Sequence, residues 1–263
     1  MTSTDAAPAR RPWPVAADAL LAAALGALQT LAFVHTSAWV LPIATLALLV
    51  WRLDAAPPRR AALLGWLYGT AWLAAGTWWL FVSMHRYGGL PAPLAAAAVA
   101  ALSAALSLYL ALAAALYARW RRGGGFDAAL FAALWLLAEL ARGLLFTGFP
   151  WVAAGYSQVD SPLAALAPWL GVYGIGAAMA LAAAGTVQLL RSRGRRWLPA
   201  TLAAGGVALA QGVPSDFTTP TGSLEVALLQ TNVAQDEKFA TEHLPANLAW
   251  VQRELLRATA PLV

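Results

Sequence analysis

"LAAAAVAALSAALSLYLALAAALYA", residues 94–118, contains no charged side chain. As one α-helix these 25 residues would extend about 37 Å at about 1.5 Å per residue. The hydrocarbon core of a bilayer is about 30 Å thick and needs about 20 helical residues. The stretch therefore predicts a membrane-spanning helix, and the arginines that follow it, from Arg119 to Arg122, mark where that helix leaves the apolar layer.

The rest of the chain repeats this pattern. The composition is 60% hydrophobic and 11% charged with a mean hydropathy of +0.63, which is typical of a chain whose solvent is a lipid bilayer. We predict a polytopic α-helical membrane protein with about seven spans. Besides residues 94–118, the predicted spans are residues 15–34, 38–51, 61–83, 126–146, 163–190 and 198–213.

Arginine clusters indicate the topology. They precede the first predicted span and follow the second, fourth and sixth, so the positive-inside rule predicts that the N-terminus faces the cytoplasm and the end of the seventh span faces outside. We expect the first span to be an uncleaved signal anchor, since six more spans follow. Because the basic residues lie between apolar runs, nucleic-acid binding is not predicted. The clusters are Arg10 and Arg11; Arg52, Arg59 and Arg60; Arg119, Arg121 and Arg122; Arg191, Arg193, Arg195 and Arg196.

The composition changes after residue 213. We predict a membrane domain over residues 1–213, a linker over 214–223 and the beginning of a soluble domain over 224–263. "LEVALLQTNV", residues 224–233, favours a buried strand, and an apolar stripe through Leu244, Leu248, Val251 and Leu255 favours a helix that ends near Pro261. One strand and one helix bury too little apolar area to form a core of their own.

Four stretches together resemble the apolipoprotein N-acyltransferase family. They are "WWLFVSMHRYGGLP" at residues 78–91, the segment from residue 134 to 175 with its "TGFPW" and "GYSQ" elements, "VALLQTNVAQDEKF" at 226–239, and "ATAPLV" at 258–263. The resemblance covers most of the chain and keeps the order of the family's motifs. It implies that residues 224–263 begin an extracytoplasmic α/β nitrilase-like domain, an αββα sandwich.

The resemblance also implies a reaction. Such enzymes of the bacterial inner membrane move an acyl chain from a phospholipid donor to an enzyme cysteine, and then to the α-amino group of a diacylglyceryl-cysteine lipoprotein, without a cofactor. The family's glutamate, lysine and cysteine lie beyond the last motif found here, and these 263 residues contain no cysteine. Lys238, the sole lysine, precedes the helix and does not match the catalytic one. We therefore expect no catalytic residue in this chain and no activity from it alone.

Glu139 and Arg142 are the first candidate pair for lipid or substrate binding. They lie three residues apart inside a predicted span and so share one helical face. Charged side chains inside a membrane are costly, by about 3 kcal/mol on insertion scales, and often functional. The two residues either pair to stabilise helix packing, or Arg142 receives a phospholipid phosphate, for which a guanidinium is well suited.

The loop that follows contributes further candidates. Phe149, Pro150 and Trp151 lie where the fifth span ends, so Trp151 is either an interfacial anchor or part of the entry path for an acyl chain or lipoprotein. Tyr156 and Gln158, with Ser157 and Asp160 beside them, either support the catalytic domain or form a solvated loop. Trp78 and Trp79 are weaker candidates, since most of the 13 tryptophans must serve packing or the membrane interface.

Other functions receive less support. The three histidines are scattered and have no second ligand at metal spacing, so no metal site is predicted. A transporter would need several polar or broken spans and an internal repeat. Apart from Asp18 and Asp127 near the starts of two predicted spans, Glu139 and Arg142 are the only clearly ionisable residues inside the spans, and no repeat is evident. A non-catalytic membrane scaffold stays as the alternative.

Overall fold

The computed structural model describes residues 14–191, 219–234, 237 and 241–260. The chain divides into two units, Met1–Val213 and Pro214–Val263. The predicted seventh span, residues 214–218 of the predicted linker, Lys238 and the residues from Pro261 onward lie outside the described residues.

The described part of the first unit is helical. Its helices are α1 (Val15–Gln29), α2 (Leu31–Val34), α3 (Val40–Leu53), α4 (Pro58–Gly76), α5 (Trp79–Val82), α6 (Ala92–Leu106), α7 (Leu108–Trp120), α8 (Asp127–Leu144) and α9 (Ala167–Arg191). Short 3₁₀ turns cover Thr36–Ala38, Leu145–Thr147, Ala154–Gln158 and Pro162–Leu166, and Ser83–Tyr87 forms a π-helical turn.

Within the described residues, five helical stretches are long and apolar enough to cross a bilayer. They are Val15–Val34, Thr36–Leu53, Ala92–Trp120, Asp127–Thr147 and Pro162–Arg191. These stretches coincide with five of the predicted spans, so the prediction of an α-helical membrane protein is confirmed. The third predicted span, residues 61–83, instead forms two helices, α4 and α5.

The charge-free run at residues 94–118 is also divided, between α6 and α7. The break lies at Ser107, whose hydroxyl donates to the Ser103 carbonyl oxygen at 2.6 Å. A serine bonded back to the carbonyl four residues earlier commonly bends a helix. A second interruption occurs in α9 at Gly171, which has a φ of +62° that side chains with a Cβ rarely adopt.

Glycines allow the helices of this unit to approach closely, as the small residues of membrane helices often do. A Cβ built on Gly26 of α1 would lie 2.0 Å from the Tyr68 carbonyl oxygen of α4. A Cβ on Gly65 of α4 would lie 2.7 Å from the Ala114 Cβ of α7. Helix α4 therefore packs between α1 and α7 with backbones nearly in contact.

Replacing Gly26 with Ala should lower the free energy of unfolding of the first unit by about 1–3 kcal/mol, the usual cost of overpacking. The added methyl group meets helix backbone, so α1 and α4 must move apart. Gly185→Ala is the matched control, because a Cβ there would have nothing within 4 Å and alanine is the better helix former by about 1 kcal/mol. The measurement is the unfolding midpoint of both variants in detergent micelles; equal destabilisation would contradict the close crossing.

Two acid–arginine clusters join the helices at the end of the bundle that holds Arg52, Arg60, Arg121 and Arg191, which we call the arginine-rich end. Asp18 of α1, only 2% exposed, binds Arg52 of α3 at 2.8 Å and also pairs with Arg60 of α4. Asp54, in the connection after α3, pairs with Arg191 of α9 at 3.0 Å and accepts a hydrogen bond from Tyr117 Oη at 2.6 Å. Burial raises the pKa of the Asp54 carboxyl above its ordinary value.

A cavity of about 230 Å³, with several charged residues in its lining, lies beside the second cluster. Residues from three arginine-bearing connections line it: Asp54, Arg121 and Arg191. Asp127 closes the glycine-rich turn between α7 and α8 by accepting backbone hydrogen bonds from Arg122 and Gly123 at 2.9 and 2.7 Å. The described members of the arginine clusters that follow the second, fourth and sixth predicted spans therefore meet at one end of the helix bundle.

The second unit contains one described helix, α10 (Leu244–Arg257). Its predicted existence is confirmed, and its stripe is largely exposed, with Leu248 at 61%. The strand predicted over residues 224–233 does not form; among the described residues, Val226 makes only an isolated bridge. A strand needs neighbouring strands to pair its backbone groups and bury its side chains, and the described part of this unit supplies none.

Candidate functional site

Helix α8 carries the chain away from the arginine-rich end. Its 18 residues cover about 27 Å, nearly the thickness of a hydrocarbon core. It ends in the segment 145–152, which we refer to as the FPW turn. The Phe149 and Trp151 rings pack at 5.0 Å between centroids, and the Trp151 side chain remains 52% exposed.

Glu139 and Arg142 form a buried ion pair behind this turn. Arg142 Nη2 donates to Glu139 Oε1 at 3.0 Å, and the two side chains are 3% and 1% exposed. The prediction that they share a helical face is therefore confirmed. Their burial distinguishes them from an exposed i,i+3 pair, which contributes only a few tenths of a kcal/mol.

The other contacts of Arg142 point into the FPW turn. Its Nη1 donates to the carbonyl oxygens of Phe149 and Trp151, both at 2.8 Å. The guanidinium carbon lies 5.6 Å from the centre of the Trp72 ring, and Trp72 stacks on Trp135 at 5.8 Å. Arg142 is thus engaged on three sides by protein groups, and the polar ones are backbone carbonyls and a carboxylate.

Glu139 extends the same network to the next segment. Its Oε1 also accepts the backbone N–H of Ala154 at 3.0 Å. A Cβ built on Gly176 of α9 would lie 2.7 Å from Glu139 Oε2, so glycine at that position leaves the space that the carboxylate occupies. A Cβ on Gly155 would lie 2.0 Å from the Val172 carbonyl oxygen, again on α9. The loop and α9 therefore pack around the carboxylate at backbone contact.

The segment Ala154–Gln158 is a packed turn and only partly a solvated loop. Ser157 and Gln158 are fully buried, and Gln158 Nε2 donates to the Trp39 carbonyl oxygen at 3.0 Å. Tyr156 remains 52% exposed. Asp160, two residues after the segment and exposed, accepts a hydrogen bond from the Thr36 hydroxyl. The segment thus ties the turn between α2 and α3 to α9.

Trp78 and Trp79 follow the end of α4 and are both exposed. Gly76, just before them, faces Val152 so closely that a Cβ would lie 2.9 Å from a Val152 methyl carbon. This contact brings the end of α4 to the FPW turn. Neither tryptophan has a described ring contact with Trp151, so the structure groups Phe149, Pro150 and Trp151 with the buried pair and leaves Trp78 and Trp79 at its margin.

A largely apolar cavity of about 310 Å³ lies on the α9 side of these residues. It is lined by Tyr156, Gln158 and Val159 of the turn and by Gly171 and Ile175 of α9. Among the residues that the structure describes, no cluster of three or more His, Asp and Glu side chains could hold a metal ion.

Several residues that build this site were not predicted from the sequence. Trp72 lies beside the guanidinium and Trp135 stacks on Trp72. The Trp39 carbonyl oxygen accepts from Gln158, and Gly176 leaves space for Glu139. Trp135 could have been found, because it precedes Glu139 by four residues and so lies on the same helical face. The other three come from elements distant in sequence, and no local pattern connects them to α8.

The residues that build this site fall within a region matched by a known family model. The family model described as apolipoprotein N-acyltransferase N-terminal domain matches residues 25–185, which include every candidate site residue from Trp78 to Gln158. The chain belongs to the apolipoprotein N-acyltransferase family. The resemblance of residues 78–91 and 134–175 to that family is thereby confirmed.

Curated relatives named apolipoprotein N-acyltransferase agree with this assignment. A protein of Verminephrobacter eiseniae is 46% identical over 248 residues, covering 86% of this chain and 46% of the relative. One of Ralstonia nicotianae is 42% identical over 252 residues, with coverages of 92% and 48%. One of Azotobacter vinelandii is 43% identical over 260 residues, with coverages of 95% and 49%. The chain spans about half the length of the curated relatives that it matches.

Proposed function

We propose that this chain supplies the membrane half of an apolipoprotein N-acyltransferase. The complete enzyme would transfer an acyl chain from a phospholipid to the α-amino group of a diacylglyceryl-cysteine lipoprotein through a thioester. Because these 263 residues contain no cysteine, the thioester cysteine would have to come from outside them. The observation that carries this proposal is the family match over residues 25–185.

The proposed membrane domain comprises residues 1–213 with seven spans, followed by a linker at 214–223 and the start of a nitrilase-like domain at 224–263. Support for a crossing α4 comes from its two ends: Arg60 binds Asp18 near the arginine-rich end, whereas Gly76 faces Val152 of the FPW turn. The 19 residues of α4 cover about 28 Å. The positive-inside rule then assigns the arginine-rich end to the cytoplasm and the FPW turn to the periplasmic side of the inner membrane.

Within this arrangement, the exposed residues of the FPW turn are the proposed contact with the lipid donor or the lipoprotein acceptor. Trp151 offers a large, half-exposed aromatic surface next to Phe149. Tyr156 and Gln158 line the apolar cavity beside α9, and Trp78 and Trp79 are secondary candidates. Glu139 and Arg142 are enclosed by protein, which favours packing over contact with a phosphate.

A chimera tests the proposed function. Residues 1–263 replace the matching half of the Verminephrobacter eiseniae relative, and the gene is expressed in a strain depleted of its own apolipoprotein N-acyltransferase. We expect growth to be restored and mass spectrometry to detect N-acylated lipoproteins, whereas residues 1–263 alone should restore neither. A chimera that inserts into the membrane but leaves lipoproteins unacylated would contradict the proposal, and rescue by residues 1–263 alone would contradict the need for an external cysteine.

Trp151→Ala in the active chimera should lower the rate of acyl transfer about tenfold or more. A tryptophan at a recognition site often contributes about 2 kcal/mol, and about 1.4 kcal/mol corresponds to a factor of ten. Trp120→Ala is the matched control: Trp120 is 51% exposed, against 52% for Trp151, but it ends α7 at the arginine-rich end. Acyl-thioester formation and transfer are measured separately; if neither changes, Trp151 does not belong to the site.

A further inference from the structure

Backbone conformations that are costly for ordinary residues concentrate around the FPW turn. Phe146, Thr147 and Val152 have φ values of 53°, 71° and 52°, and Gly148 has a φ of 79°. Left-handed conformations suit glycine and asparagine, and they are rare for β-branched residues such as threonine and valine. Each strained residue costs about 1–3 kcal/mol and persists only where the surroundings hold it in place.

The surroundings that hold this turn are two side chains of α8. Arg142 donates to the carbonyl oxygens of Phe149 and Trp151, and the Phe149 N–H donates back to the Arg142 carbonyl oxygen at 2.7 Å. Glu139 binds both the guanidinium and the Ala154 N–H. The two side chains therefore hold the backbone at Phe149, Trp151 and Ala154, on both sides of the exposed Trp151 ring.

The pair itself has little freedom to move. The Trp72 ring lies beside the guanidinium and is itself stacked on Trp135, and Gly176 brings α9 against the carboxylate. Both side chains lie almost entirely out of reach of solvent or lipid. A phosphate that bound Nη1 of Arg142 would have to displace the two backbone carbonyls, which would release the strained turn.

We propose that Glu139 and Arg142 are positioning residues that hold the FPW turn in its strained conformation and thereby fix where Trp151 is presented. They act through Trp151 and do not contact substrate. The structural part of this proposal does not depend on the proposed function. The expected effect on acyl transfer does rest on the proposed function.

Spin labelling tests the structural part on the full chain in lipid nanodiscs. Because the chain has no cysteine, Phe146→Cys gives a single labelling site in the turn, where the native side chain is 93% exposed. Phe126→Cys, just before the other end of α8 and 74% exposed, is the control site. Arg142→Lys keeps a positive charge opposite Glu139, but one ammonium group cannot reproduce the planar fork that reaches two carbonyls and a carboxylate.

We expect Arg142→Lys to mobilise the label at position 146 and to leave the spectrum at position 126 unchanged. No change at either position overturns the proposal. Mobilisation at both positions also overturns it, because that would mean a general loosening of α8. These outcomes do not depend on whether the chimera is active.

A double-mutant cycle in the active chimera tests the consequence for acyl transfer. If Arg142 acts through Trp151, Arg142→Lys should lower the transfer rate by at most as much as Trp151→Ala, and the double variant should be no slower than Trp151→Ala alone. Additive losses would mean that Arg142 contributes by another route. If the chimera is inactive with its native residues, the proposed function fails while the spin-label result still decides the positioning role.

Discussion

Asp18→Asn should lower the free energy of unfolding of the helical unit by about 3 kcal/mol. The substitution removes the carboxylate that Arg52 and Arg60 both bind. Taking away one partner of a buried ion pair typically costs about 3–5 kcal/mol. We expect the lower end of that range, because the Arg52 and Arg60 side chains are 20% and 19% exposed and water can partly solvate them. The measurement is equilibrium unfolding in mixed micelles.

Asp160→Asn is the matched control for this experiment. Asp160 is exposed and its described partner is the Thr36 hydroxyl, so the change in stability should stay below about 1 kcal/mol. A second substitution separates charge from packing: adding Arg60→Gln to Asp18→Asn should recover part of the loss, since it removes one of the two positive charges. If Asp18→Asn and Asp160→Asn have the same effect, the cluster does not stabilise the bundle.

This cluster also shows what sequence reasoning could and could not provide. Arg52 and Arg60 were interpreted as topological signals only, and their positions did predict which helix ends meet. Their partner is separated from them by 34 and 42 residues. An acid inside an apolar run is a recognisable signal in membrane proteins, so Asp18 could have been marked as paired. Which arginine it binds depends on which helices are neighbours.

The helices themselves were largely predictable because their cause is local. Apolar length and arginine placement identified five stretches of the described chain that could cross a bilayer, including the run at residues 94–118. Positions at which helices break were missed, since a hydroxyl such as that of Ser107 bends a helix only when it bonds backward. The predicted strand at residues 224–233 does not form although its local pattern suits a strand. A strand requires neighbouring strands, and the described residues do not provide them.

The sequence singled out residues that the structure brings together, but not what each of them contacts. The motif at residues 149–151 and the pair at 139 and 142 were singled out together, and the structure brings them into direct contact. Two interpretations of Arg142 were open because spacing cannot distinguish a guanidinium that faces lipid from one that faces its own backbone. That distinction comes from burial, and burial depends on Trp72 and on α9, which the local sequence does not specify.

Glu139→Gln should lower the free energy of unfolding by about 3–5 kcal/mol, because it leaves the Arg142 charge buried without its counter-charge. The glutamine retains the shape and can still accept the Ala154 N–H, so the loss reports charge more than packing. Glu254→Gln on α10 is the matched control: Glu254 and Arg257 have the same spacing but are 26% and 69% exposed, and such pairs contribute about 0.3–0.5 kcal/mol.

Gly176→Ala tests how closely α9 packs against the Glu139 carboxylate. The added methyl group would lie 2.7 Å from Glu139 Oε2 and would displace the carboxylate while leaving its charge in place. We expect a loss of about 1–3 kcal/mol, as for overpacking elsewhere in a core, and less than that of Glu139→Gln. Equilibrium unfolding in mixed micelles measures both. If Gly176→Ala costs as much as Glu139→Gln, the fit against α9 rather than the ion pair stabilises this end of α8. If neither variant loses stability, the carboxylate is solvated and the buried pair does not exist in the membrane.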